Sequence, residues 1–104
     1  MERITLKDLD HVVDAINVAE KTPPKPFSAR DANGKITANV GNYHISSAYG
    51  GWCLEQMMNE RGGVRDVFQV GHVPKRELYG LLRAYFSGLR QAMVWLSRSW
   101  NARS

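Results

Sequence analysis

Cys53, His11, His44 and His72 are the residues of this chain best suited by type to a nucleophile, a general base or a metal ligand. A cysteine becomes a nucleophile when a histidine adjacent in space takes its proton, so Cys53 with His44 or His72 is the one pair to weigh. An exposed thiol with a lowered pKa would be needed. A lone cysteine in an apolar strand pattern reads more simply as a small buried residue. Metal ligation needs clustered side chains at ligand spacing, and these four fall on separate expected elements, so the expectation is no metal and no cofactor. The chain also contains no GxSxG elbow, no glycine loop ending in GK[ST] and no HExxH. On this reading the protein is not an enzyme.

Binding chemistry is better represented. Tyr43, Tyr49 and Trp52 sit beside expected turns and offer either stacking surface or core volume. Residues 1–60 carry six Lys/Arg against eight Asp/Glu, whereas residues 61–104 carry eight against two, so a basic half follows an acidic one. Such a half suits phosphate or an acidic partner, and it equally solvates a helix. Nucleic acid, gripped by Arg61, Arg65, Lys75, Arg76, Arg83 and Arg90, is therefore a possible partner. A small ligand between Tyr43, His44, Trp52 and Arg65 is a third reading.

These residues need elements to position them. Thr5 with Asp8 has the form of a capping box, with Ile4 and Leu9 as the flanking staple, and Leu6, Leu9, Val13 and Ile16 recur at helical spacing, predicting a helix over 6–19. KTPPKPF ends it as a stiff connector anchored by Phe27. Asn33-Gly34 predicts a type I′ hairpin turn, KITANV alternates, and Gly41-Asn42 offers a second turn, so a meander is expected over 28–47. With Ile36, Val40 and Ile45 facing the helices, Thr37, Asn39, His44, Glu55, Arg65 and Gln69 would decorate the wet face. Residues 52–60 read as a strand between Gly50-Gly51 and Gly62-Gly63, and 64–68 as another; a short helix over 54–60 is the rival. Pro74 opens a helix whose stripe is Leu78, Leu82, Tyr85, Leu89, Met93, Leu96 and Trp100, with a bend or break possible at Gly88.

The fold class is thus α+β: an N-terminal helix, an antiparallel meander of three to five strands, and a long or broken C-terminal helix, both helices on one sheet face. The 104 residues fit a single domain, with 1–89 as core and 90–104 as a helical extension. No apolar run approaches the ~20 residues of a membrane span, and one cysteine with no leader pattern fits a reducing cytoplasm. Met93, Trp95, Leu96 and Trp100 put more apolar area near the end of the chain than a lone helix exposes, which predicts self-association, as a homodimer.

The runs GNYH at 41–44, YGG at 49–51, NE–GGVRDVF around 59–68 and KRELY at 75–79 resemble a group of small proteins of unassigned function from tailed phages and prophages. The resemblance covers about half the chain and brings no catalytic residues. It implies an accessory protein in a bacterial host cytoplasm that binds and modulates a host macromolecule, in counter-defence or host takeover. The residues expected to contact that host protein are Tyr49, Trp52, Arg65, Asp66, Lys75 and Arg76.

Overall fold

The structure, a computed structural model, describes the backbone of residues 3–102 and the side chains of residues 3–92. Its elements are α1 (Leu6–Glu20), β1 (Tyr43–Ala48), β2 (Gly51–Met57), β3 (Val64–Asp66) and α2 (Lys75–Ala102). The three strands form an antiparallel sheet in the order β1-β2-β3. Both helices pack on one face of it, the α+β arrangement that the sequence predicts.

The capping box starts α1: the Asp8 N–H donates to Thr5 Oγ1 at 3.3 Å and the Thr5 N–H to the Asp8 carboxylate at 2.9 Å. Leu9, Val12, Val13 and Ile16 bury one stripe of the helix, while Leu6 stays 42% exposed at its edge. These four meet Tyr43, Leu54, Leu78 and Leu82 in the core, with Ile45, Trp52, Phe68, Tyr85 and Leu89 packed around them. Burying a side chain of this size contributes about 1.5–3 kcal/mol. α2 continues through Gly80 and Gly88 as one helix, about 42 Å long at 1.5 Å per residue, and no break divides it at Gly88. It runs antiparallel to β1, since Lys75 lies over Trp52 at one end of the sheet and Tyr85 reaches Tyr43 at the other.

Three expectations are corrected. The 28–40 segment forms no regular strands; it is an arm with an isolated bridge between Phe27 and Ala38 and a few further hydrogen bonds, such as the Ala38 N–H to the Glu60 carbonyl at 3.2 Å. Asn33 is not in the left-handed region, so Asn33-Gly34 is not a type I′ turn. Asp31 closes that turn instead, its carboxylate accepting the N–H groups of Asn33 and Lys35 at 2.8 and 2.9 Å. Ile36 and Val40, with exposures of 45% and 50%, do not face the helices. The type I′ geometry belongs to Tyr49-Gly50, both at positive φ (54° and 74°), between the paired residues Ala48 and Gly51.

The second sheet face is not simply wet. By alternation Gly51, Cys53, Glu55 and Met57 point away from the helices, yet Gly51, Cys53 and Met57 are buried. The segment after β3 flanks this face: a Cβ on Gly51 would stand 2.8 Å from the His72 carbonyl carbon.

Candidate functional site

Two polar clusters tie the elements together. Asn17, 2% exposed on α1, turns its amide onto the β1 backbone, donating to the Tyr43 carbonyl and accepting the Tyr43 N–H, both at 2.9 Å. It thus acts as one residue of a neighbouring strand. At the end of the same helix, Glu20 accepts hydroxyl hydrogen bonds from Tyr43 at 2.8 Å and Tyr85 at 3.1 Å. Burial, then the Tyr85 hydroxyl and the Glu20 carboxylate, push the Tyr43 hydroxyl far above its ordinary pKa. Tyr43 is accordingly a core residue and a lock, not a stacking surface.

On the opposite face Asn42 donates to the Pro23 carbonyl at 2.8 Å, which leaves its Oδ1 to accept from His44 Nδ1 at 3.2 Å. His44 Nε2 lies 3.3 Å from Glu55 Oε1. Cys53 sits beside them without a histidine partner: burial, then the negative charge of Asp66, push its thiol up to about 12. That thiol is the reverse of an activated nucleophile. Among the described residues no group of three His, Cys, Asp or Glu is placed to hold a metal ion.

The residues expected to contact a partner are distributed as follows. Asp66 is committed to its own loop. Desolvation raises its carboxyl, but the N–H groups of Gly71 and Gln69, the Cys53 thiol and the Phe68 N–H outweigh it and hold the pKa below the ordinary value. Arg65, one residue earlier, projects to the other face, where its Nε donates to Gln56 Oε1 at 2.9 Å. Arg65 therefore does not join His44 and Glu55 on the outer face, as the alternating pattern had suggested. The same alternation separates His44 from Tyr43, Trp52 and Arg65, so those four line no common pocket within the protein.

Tyr49, Trp52 and Lys75 all lie at the hairpin end of the sheet, and Arg76 follows Lys75 in the first turn of α2. Trp52 and Val73 exchange backbone hydrogen bonds of 2.8 and 2.9 Å, which brings the start of α2 against the hairpin. Lys75 Nζ rests 5.1 Å from the Trp52 ring centroid. Tyr49 is 97% exposed on the turn and meets His72 edge-on at 6.0 Å between centroids. His72 Nε2 in turn lies 3.5 Å from Ser46 Oγ. His72 was not among the residues expected here; only its place two positions before Pro74, at the entrance to α2, hinted at it.

The candidate nucleic-acid cations are spread out. Arg61 lies on the β2–β3 turn, at the other end of the sheet from Lys75, and Arg90 lies over the Phe86 ring at 5.9 Å. The side chains of Met93, Trp95, Leu96 and Trp100 lie outside the described residues. No helix among the described residues is long and apolar enough to cross a membrane. Comparison with protein families, with curated proteins and with solved structures finds no match.

Proposed function

We propose that this protein acts by binding a host protein, as a non-enzymatic accessory protein of a tailed phage or prophage, with the hairpin end as its contact surface. The observation that carries the reading is Tyr49. A bulky aromatic in the left-handed region costs roughly 1–2 kcal/mol, and glycine or asparagine would fill that turn position without it. Here the strained residue is also 97% exposed, so its ring contributes almost nothing to the core. Strain kept without a packing return is typical of a site under functional demand. An exposed tyrosine is also a residue type enriched among interface anchors, and here His72 stands against its edge. The phage context comes from the resemblance of residues 41–79.

Tyr49→Gly separates the two roles. The variant should melt at a higher temperature than the parent, by the few degrees that about 1 kcal/mol gives in a domain of this size. It should also lose the dominant protein that the parent captures from nuclease-treated bacterial lysate. If capture survives the substitution, the hairpin end is not the contact. If capture disappears on nuclease treatment, and binding to purified nucleic acid falls steeply with salt, the nucleic-acid reading replaces this one.

A further inference from the structure

β1 is an edge strand, and its outer side carries backbone groups that bond to nothing within the protein. Tyr43 stands opposite Gln56 in the register of the sheet, yet its N–H and carbonyl turn outward to Asn17. In an antiparallel ladder successive residues aim their backbone groups alternately at one neighbour and the other. The N–H and carbonyl of Ile45 and of Ser47 therefore face outward as those of Tyr43 do, while His44, Ser46 and Ala48 bond to β2. Trp52, opposite Ser47, confirms the alternation, since it turns its own two groups away from β1 to Val73. Among the described residues no group bonds to the outward N–H or carbonyl of Ile45 or Ser47. Nor is this edge defended. Open edges are commonly guarded by lysines, prolines or bulges. YHISSA contains no lysine, arginine or proline, and it pairs with β2 without a bulge. β3, at the opposite edge, is three residues long and two of them, Arg65 and Asp66, are charged.

Donors and acceptors set two residues apart along an edge are complementary to the backbone of an extended chain. We propose that β1 binds an extended segment of the partner protein as a fourth strand of the sheet. The proposal rests on the hairpin-end reading above and names what the partner brings to that site. The seat is bounded at both ends: Asn17 already fills the position beside Tyr43, and the strand runs directly into the turn that presents Tyr49. Between these limits lie about 20 Å of strand, at roughly 3.3 Å per residue. Main-chain bonds supply affinity in this mode and neighbouring side chains supply selectivity. Tyr49, at the end of the seat, would then select among extended segments. A second copy does not fit the same edge. Asn17 reaches the outward groups of β1, so the end of α1 stands at the margin of the sheet. Two β1 strands paired antiparallel would set both α1 helices on one sheet face across a strand spacing of about 4.8 Å, whereas packed helix axes need about 8–10 Å.

Ser47→Pro tests the edge without opening the sheet, because proline is tolerated in an edge strand where the N–H points away from the ladder. Ser47→Ala, which keeps that N–H, is the control. The probe is the dominant protein that the parent captures from nuclease-treated lysate, identified by mass spectrometry and purified. Ser47→Pro should keep the parent's circular dichroism spectrum and bind this protein about tenfold or more weakly, since a main-chain bond is lost and its acceptor left unpaired. Ser47→Ala should bind as the parent does. Amide exchange followed by NMR on the parent is a second readout, and it stands if Ser47→Pro misfolds. In the free protein the amides of Ile45 and Ser47 should exchange at least about a hundredfold faster than that of Ser46, and in the complex they should slow about tenfold or more. Equal protection of Ile45, Ser46 and Ser47 in the free protein would overturn the proposal. Unchanged exchange of Ile45 and Ser47 in the complex, or a Ser47→Ala variant as weak as Ser47→Pro, would overturn it as well. If Ser47→Pro binds like the parent while Tyr49→Gly does not, the added strand is excluded and the hairpin end remains the contact. If neither substitution weakens binding, or the parent captures no protein, both readings fail together.

Discussion

Cys53 shows how a reactive residue type is silenced by its surroundings. It lies in the middle of β2, 3% exposed, where burial first and the Asp66 charge second raise its thiol, and among the described residues no histidine hydrogen-bonds to it. Its folded pKa is pushed up from 9.0 to about 12, so the native state holds the proton more tightly than the unfolded chain. The stability tied to that proton is fully present below pH 9 and is lost as pH rises toward 12. Tyr43 and Tyr85, both raised above 10.0, act in the same direction over the upper part of this window. Melting temperature should therefore fall from about pH 9 upward, and Cys53→Ala should flatten the first part of that decline. Native protein at pH 8 should resist iodoacetamide while the denatured chain is alkylated readily. Prompt alkylation of the folded protein would show an accessible thiolate and reopen Cys53 as a chemical group.

At the scale of elements, the joints depend on side chains that stand in for backbone. Asn17 supplies Tyr43 with both partners that an adjacent strand would have offered, and it does so at 2% exposure. Asn17→Ala would leave a buried N–H and a buried carbonyl unpaired, costing about 1–3 kcal/mol for each group that water cannot reach. The expected result is a chemical-denaturation midpoint clearly below that of the parent. Asn17→Asp should be no better, because a second acceptor then faces the Tyr43 carbonyl. A near-parental midpoint for either variant would show that this joint does not hold α1 to β1.

The helices and β2 were legible in the sequence because each is signalled locally, by a capping box, by stripes at three- and four-residue steps, and by glycines at strand ends. The arm was misread because Asn33-Gly34 and the alternation of KITANV satisfy a local rule that no neighbouring strand completes. Of the site, Tyr49 and Lys75 were legible as residues beside a turn and at a helix start. The meeting of Tyr49 with His72 and of Lys75 with Trp52 was not, since it depends on Val73 pairing with Trp52 across 21 positions.

For the molecule as a whole, cohesion is unequal. Leu9, Ile16, Leu54, Leu78 and Leu82 are fully enclosed, and they join α1, β2 and α2 into one apolar body. The arm from Phe27 to Val40 buries only Ala38, leaves Phe27, Ile36 and Val40 about half exposed, and is tied down by a few hydrogen bonds such as Ser28 N–H to the Thr37 carbonyl at 2.9 Å. Segments with few buried contacts and solvent-accessible hydrogen bonds open without unfolding the rest. Native-state hydrogen exchange should therefore fall into two groups. Amides of Leu54, Ile16 and Leu82 should exchange only through opening of the whole core, with a strong dependence on denaturant. Amides of Ser28, Lys35 and Ala38 should exchange at least about a hundredfold faster, with almost no such dependence. The hairpin end belongs with the core in this division, because Trp52 and Val73 bond to each other in both directions. Their amides should be protected like Leu54, which would leave Tyr49 presented from a rigid platform. Should Trp52 and Val73 exchange as fast as the arm, the hairpin end would be a loose loop and the pre-organised contact proposed for Tyr49 would fail with it.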